Sequence, residues 1–185
     1  MLRIVGVKHV NGQVVETGDY VPLTLGFGDE SQVHIGHLHW RALHGDRPVL
    51  EITADDISHV IRSVILELKD PSRIVPCTID SRSQRARVER GVPVCDASQW
   101  EGRVVVGTGG VAARGIVDEQ HEVTVCIGND SVVLTVGADS SEPAWYAVAG
   151  CVWFGMNERD ELCRMQVTEL TEKDIRRIQV ACGLP

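Results

Sequence analysis

The sequence predicts an α+β fold: predominantly antiparallel β, as a sheet, open barrel or sandwich, with two amphipathic helices. Three observations lead there. Short β-branched runs are interrupted by the turn dipeptides Asn11-Gly12 and Gly18-Asp19. The apolar period changes from two to helical spacing after Thr53 and again after Thr171. And the chain repeats itself. Val21-Pro22-Leu23-Thr24-Leu25-Gly26 returns as Val132-Val133-Leu134-Thr135-Val136-Gly137, Trp40 as Trp153, and the segment from Glu51 to Ile57 as that from Glu169 to Ile175. The preserved order suggests duplication about a pseudo-twofold axis. Convergence on a strand-end signal and a capping signal is the alternative.

Taken in order, residues 2–7, 13–16 and 20–25 read as strands, followed by a longer extended stretch at 32–43 and another at 48–52. From 54 to 68, Ile57, Val60, Ile61, Val64, Ile65 and Leu68 recur at helical spacing, with Thr53 as N-cap and Pro71 as stop. Residues 73–79 and 86–94 are expected as a hairpin around an arginine-rich turn at 80–85. Strands follow at 103–106, 111–117, 122–127 and 131–136. The wholly apolar stretch 145–154 reads as one buried central strand, and 161–167 as another. Thr171 opens the second helix, with Ile175, Ile178 and Cys182 on one face and Gly183 and Pro185 ending it.

At 185 residues the chain is expected to be a single domain (1–185), divisible into two related halves, 1–68 and 103–185, joined by an insertion at 69–102. It is 43% hydrophobic but only 4% aromatic, so the core must rest on aliphatic side chains. No apolar run approaches the roughly 20 residues that span a bilayer. Residues 1–8 lack the features of a secretion signal, and a cytoplasmic location is expected. The six cysteines form no C-x-x-C pair and are expected as free buried thiols. Cys77 and Cys95, flanking the predicted hairpin, are the one pair to check.

A net charge of −8 argues against general affinity for nucleic acid or anionic membrane. The charge is uneven, however. Between Arg73 and Arg90 five arginines face Asp80 and Glu89, a local balance of +3 that leaves −11 for the remainder. Arg82, Arg85 and Arg87 are therefore candidate contacts for a small anionic ligand or an acidic protein partner, since guanidinium forks match phosphate and carboxylate. The alternative is a solvated hairpin tip. Trp100, in an expected loop, is a second candidate contact, either an exposed anchor or a lid over its own core.

His34, His37, His39 and His44 fall within eleven residues. On a strand His37 and His39 share a face, as two ligands of one divalent transition metal must, and His44, His121 or an acid would complete the set. The likeness to the H-x-H of cupins is superficial, because Arg41 stands where an acid is needed. Gly107-Thr108-Gly109-Gly110-Val111-Ala112 fits G-x-G-x-x-A, but the residues beyond it make a poor helix, so a glycine-rich hairpin is preferred to a dinucleotide site. No G-x-S-x-G, P-loop or H-E-x-x-H is present, and no catalytic residue is nominated.

The expected function is thus that of a non-enzymatic binding or interaction protein without a cofactor, using a cleft or interface between two related halves and able to form a homodimer. The alternative is a metal-dependent hydrolase or isomerase built on His37 and His39.

Overall fold

The computed structural model describes residues 1–28, 37–75, 86–101, 115–137 and 142–184. In chain order the strands are β1 (Ile4–Lys8), β2 (Gln13–Glu16), β3 (Leu23–Phe27), β4 (His37–His44), β5 (Arg47–Asp55), β6 (Ile61–Leu66) and β7 (Arg87–Arg90). They continue as β8 (Val92–Cys95), β9 (Ile116–Gln120), β10 (Val123–Ile127), β11 (Val132–Val136), β12 (Trp145–Ala149), β13 (Val152–Met156) and β14 (Leu162–Val167), before helix α1 (Glu172–Ala181). The expected α+β fold with two helices is corrected here. The molecule is β-rich with mixed sheets, and among the described residues α1 alone reaches seven residues of helix. No helix among them is long and apolar enough to cross a membrane.

The helix expected at 54–68 is instead the end of β5, a turn, and β6. Asp55 is the reason for the turn. Its carboxylate accepts the N–H groups of Ile57 (3.2 Å) and Ser58 (2.7 Å) and the Ser58 hydroxyl (2.8 Å), an Asx arrangement that competes with helix. His59 then takes a left-handed backbone (φ 56°) and the chain returns. The helical spacing has its own cause. A bulge between Thr53 and Ala54 leaves Arg62 extra on β6, so Ile61 and Val64 both face inward although three positions apart. Their β-branched side chains suit the pleated surface.

The fourteen strands reduce to two six-stranded sheets and one antiparallel pair. One sheet runs β2-β3-β6-β5-β4-β9, the other β10-β11-β14-β13-β12-β7, and β1 pairs with β8. The two orders are the same under β2 to β10, β3 to β11, β4 to β12, β5 to β13, β6 to β14 and β9 to β7. In each, the final strand lies parallel to its neighbour, β9 on β4 and β7 on β12. Register agrees as well: Leu23 faces Leu66 as Val132 faces Val167, and Leu50 faces Leu66 as Val152 faces Val167. The bulge recurs between Gly155 and Met156, and Asn157 repeats the turn of Asp55 by accepting from the N–H groups of Arg159 and Glu161.

These correspondences reassign the sequence matches. The two V-x-L-T-x-G segments lie on corresponding strands, β3 and β11, but the register equates Leu23 with Val132, two residues out of step. The glycines that correspond are Gly28 and Gly137, whose N–H groups bond the carbonyls of Gly12 (3.1 Å) and Glu122 (2.7 Å). Trp40 on β4 and Trp153 on β13 do not correspond, nor does the end of β5 correspond to the start of α1.

The inner faces of both sheets feed one apolar core, with Leu25, Trp40 and Ile52 from the first and Leu134, Phe154 and Met165 from the second. Phe27 and Phe154 meet across it with ring centroids 5.5 Å apart. Helix α1 begins as expected, in a capping box between Thr171 and Asp174, and buries Ile175, Ile178 and Ala181. The apolar stretch 145–154 is a hairpin rather than one strand, because Gly150 (φ 55°) turns the chain between β12 and β13. Cys95 is a free, buried thiol that burial, with Asp96 adding, pushes up to about 12. Cys126 is disulfide-bonded, which corrects the expectation of free thiols throughout.

Candidate ligand-binding clefts between the two sheets

The expected site residues separate. His37 and His39 do share the outer face of β4, edge to face with ring centroids 6.3 Å apart. His39 Nδ1 is engaged by Glu51 Oε1 at 3.1 Å. That hydrogen bond holds the Glu51 carboxyl below its ordinary range against the opposing effect of burial. Beside it, Arg41 grips Asp118 with two hydrogen bonds of 2.6 and 2.8 Å. His44 lies further along and meets a guanidinium, with Arg73 Nη2 at 2.8 Å from its Nδ1. A ring nitrogen facing a cation is poorly placed to bind a metal. Among the described residues no three His, Cys, Asp or Glu side chains converge as metal ligands.

Arg82 and Arg85 lie outside the described residues, as does the G-x-G-x-x-A segment. Arg87 is exposed, stacks 5.7 Å from the Trp145 ring and pairs with Glu89. Trp100 is the lid rather than the exposed anchor. It is only 6% exposed, and its indole N–H donates to the His39 carbonyl at 3.0 Å. The ring lies over Gly115, where a Cβ would stand 2.7 Å from the indole.

A half-buried polar group that the sequence reading passed over is Glu119, on the same face of β9 as Val117. Its Oε2 accepts the Trp40 indole N–H (3.1 Å), meets His121 Nε2 (2.7 Å) and pairs with the Met1 amino group. His121 stacks on Trp40 at 5.7 Å. Burial works to raise the carboxyl, but the hydrogen bonds from Met1, His121 and Trp40 outweigh it and hold Glu119 below its ordinary value of 4.5. A lowered folded value means that ionised Glu119 adds stability fully above about pH 4.5, and that the gain is lost as pH falls through the lowered value. Glu119→Gln should therefore flatten the acid limb of a stability-against-pH curve measured by urea unfolding. An unaltered slope would show that this carboxylate is not held as described.

The open spaces lie elsewhere, where the edge of the first sheet meets the second. A cleft of about 530 Å³ is bounded by Gly12 and Gln13 at the start of β2, Arg90 and Gly91 at the end of β7, and Gly150 in the β12–β13 turn, with His9 above. No carboxylate lines it among the described residues. Arg90 and His9 make no ion pair among those residues either, in a protein of net charge −8. Gln13 is fixed across the gap, its amide 3.3 Å from Cys151 Sγ.

The corresponding end of the other sheet shows what makes this a cleft. There Glu122 replaces Gly12, and the side chains bond to their surroundings. Gln120 donates to the Gly45 carbonyl at 2.8 Å, Arg73 pairs with Glu122 at 3.7 Å, and His121 turns in onto Glu119. This end carries a carboxylate and its ion pair, while the other is cationic and has no carboxylate among its described lining residues. Nothing in the sequence pattern marks this, because the lining comes from three separated segments of three or four residues each.

Fold and site together define a two-sheet β protein with a basic cleft at one junction of its sheets. No protein-family model matches the chain, and no curated protein matches it in sequence.

Proposed function

We propose that this is a non-enzymatic binding protein whose ligand is a small anion, held in the cleft between two halves related by duplication. The observation that carries the reading is the asymmetry between the two ends. A cation, an imidazole and a side-chain amide surround open space at one end, whereas the matching end carries the Glu122 carboxylate paired with Arg73. Arg90 offers a guanidinium fork to phosphate or carboxylate, Gln13 an amide, and the close glycines permit backbone approach. The proposed site is the cleft; of the arginines nominated from the sequence, Arg82 and Arg85 lie outside the described residues.

A cytoplasmic location belongs to this proposal, and the Cys126 disulfide pulls against it, since such bonds persist in oxidising compartments.

Calorimetric titration with inorganic phosphate at low ionic strength tests the reading. A charge-assisted hydrogen bond contributes about 1.5–3 kcal/mol, so Arg90→Ala should weaken binding by roughly tenfold or more. Its melting temperature should stay near that of the parent, because the side chain lines open space. Equal affinity in parent and variant would remove Arg90 and the cleft from the account.

A further inference from the structure

The geometry points to a second anion position on the far side of the His9 and Val10 wall, and from it we infer that the ligand carries two anionic groups, one for each cleft. The inference rests on the anion-binding reading of the first cleft. A second cleft of about 310 Å³ shares His9 and Val10 with the first and adds Lys8, Asn11, Gly28, Ser58 and Arg62. It too has no carboxylate among its described lining residues. The two clefts are therefore separated by two residues of the β1–β2 connection, and His9 borders both.

The second cleft is built, not incidental. Arg62 is the bulged residue of β6, which turns it away from the core. Its guanidinium lies directly over Gly28, where any Cβ would collide with it. Behind it Asp55, 2% exposed, stands 3.6 Å from Arg62 Nη2 and is itself tied to the backbone of Ile57 and Ser58. A buried carboxylate thus aims the arginine. Lys8 supplies a further cation with no ion pair among the described residues, and Asn11 an amide. The occupant this arrangement fits is a molecule with two phosphate or carboxylate heads joined by a short linker that passes the His9 and Val10 wall. Linking two weak sites makes the second contact intramolecular, which raises affinity without any new kind of contact.

The full-length chain should be titrated calorimetrically with methylphosphonate, with alkane-α,ω-bisphosphonates of increasing linker length, and with dicarboxylates of the same lengths. The parent, Lys8→Ala and Arg90→Ala are compared. One linker length should bind at least about tenfold more tightly than methylphosphonate. Lys8→Ala should remove that gain, while Arg90→Ala should weaken both methylphosphonate and the linked ligand. A stronger optimum among the bisphosphonates assigns the heads as phosphates, and one among the dicarboxylates as carboxylates. If methylphosphonate binds through Arg90 but no linker improves on it, or Lys8→Ala leaves the gain intact, the two-headed ligand is refuted and the single cleft stands. If methylphosphonate does not bind at all, the anion-binding reading itself falls.

Discussion

Trp40→Ala should be among the most damaging single substitutions in this protein, at a cost of about 3–5 kcal/mol. Trp40 is fully buried on β4, between the inner faces of the two sheets. Removing the indole leaves a cavity at the centre of an aliphatic core, deprives Glu119 of a hydrogen bond of 3.1 Å, and strips His121 of its stacking partner at 5.7 Å. The last two effects separate from the first in Trp40→Phe, which keeps most of the volume and loses the N–H donor. That variant should cost roughly 0.5–1.5 kcal/mol, the net contribution of one hydrogen bond to a half-buried acceptor that keeps its other partners. Urea unfolding of both variants checks the pair. A cost below about 1 kcal/mol for the alanine variant would contradict the packing described, because well-packed cores do not lose an indole so cheaply.

Gly91→Ala is expected to be nearly as severe, for a reason of backbone geometry. Gly91 joins β7 to β8 with φ 138°, and an added Cβ would lie 2.6 Å from the Lys8 carbonyl oxygen and 2.7 Å from Val7 Cγ1. The carbonyl belongs to β1, which pairs with β8 at Lys8 and Val92, so it cannot retreat without breaking the ladder. Backbone strain of about 1–3 kcal/mol is compounded by that collision, and about 3 kcal/mol or more is expected in all. Gly45→Ala is the internal control. Gly45 also has positive φ (60°), but nothing lies within 4 Å of its Cβ position. Its loss should cost only about 1 kcal/mol, the strain alone. Thermal unfolding of the two variants side by side tests the distinction; equal losses would mean that the close approach of β1 is not as drawn.

Local signals were legible wherever one pattern acted alone. The turn at Asn11-Gly12 delimits β2, whose bounds match the reading, and Thr171 with Asp174 announces α1 through its capping box. The reading failed where two effects overlapped. The Arg62 bulge set Ile61 and Val64 at a helix-like interval, and Thr53 with Asp56 imitated a cap that the strand does not use. The V-x-L-T-x-G likeness pointed to the right pair of strands, yet register equates them two residues differently, because alternation along a strand tolerates a slip of two. The exchange of β7 and β9 between the sheets could not have been read at all, since strand order depends on long-range pairing. The same holds for the clefts. His9, Arg62 and Arg90 are each unremarkable in their own segments, and only the fold sets Arg90 and Arg62 on either side of His9, in two adjoining clefts. The histidine run, by contrast, stood out in sequence because it is local, while the structure gives His39 to Glu51 and His44 to Arg73.

The open junction between the sheets is proposed to bind an anion. The most direct test is amide chemical-shift mapping of the ¹⁵N-labelled protein during titration with inorganic phosphate. The account predicts saturable shifts centred on Gly12, Gln13, Gly91 and Gly150, absent in Arg90→Ala, with the corresponding end around Gly45 and Glu122 unmoved. Shifts centred on Gly45 and Glu122 instead, or none at millimolar phosphate, would contradict it.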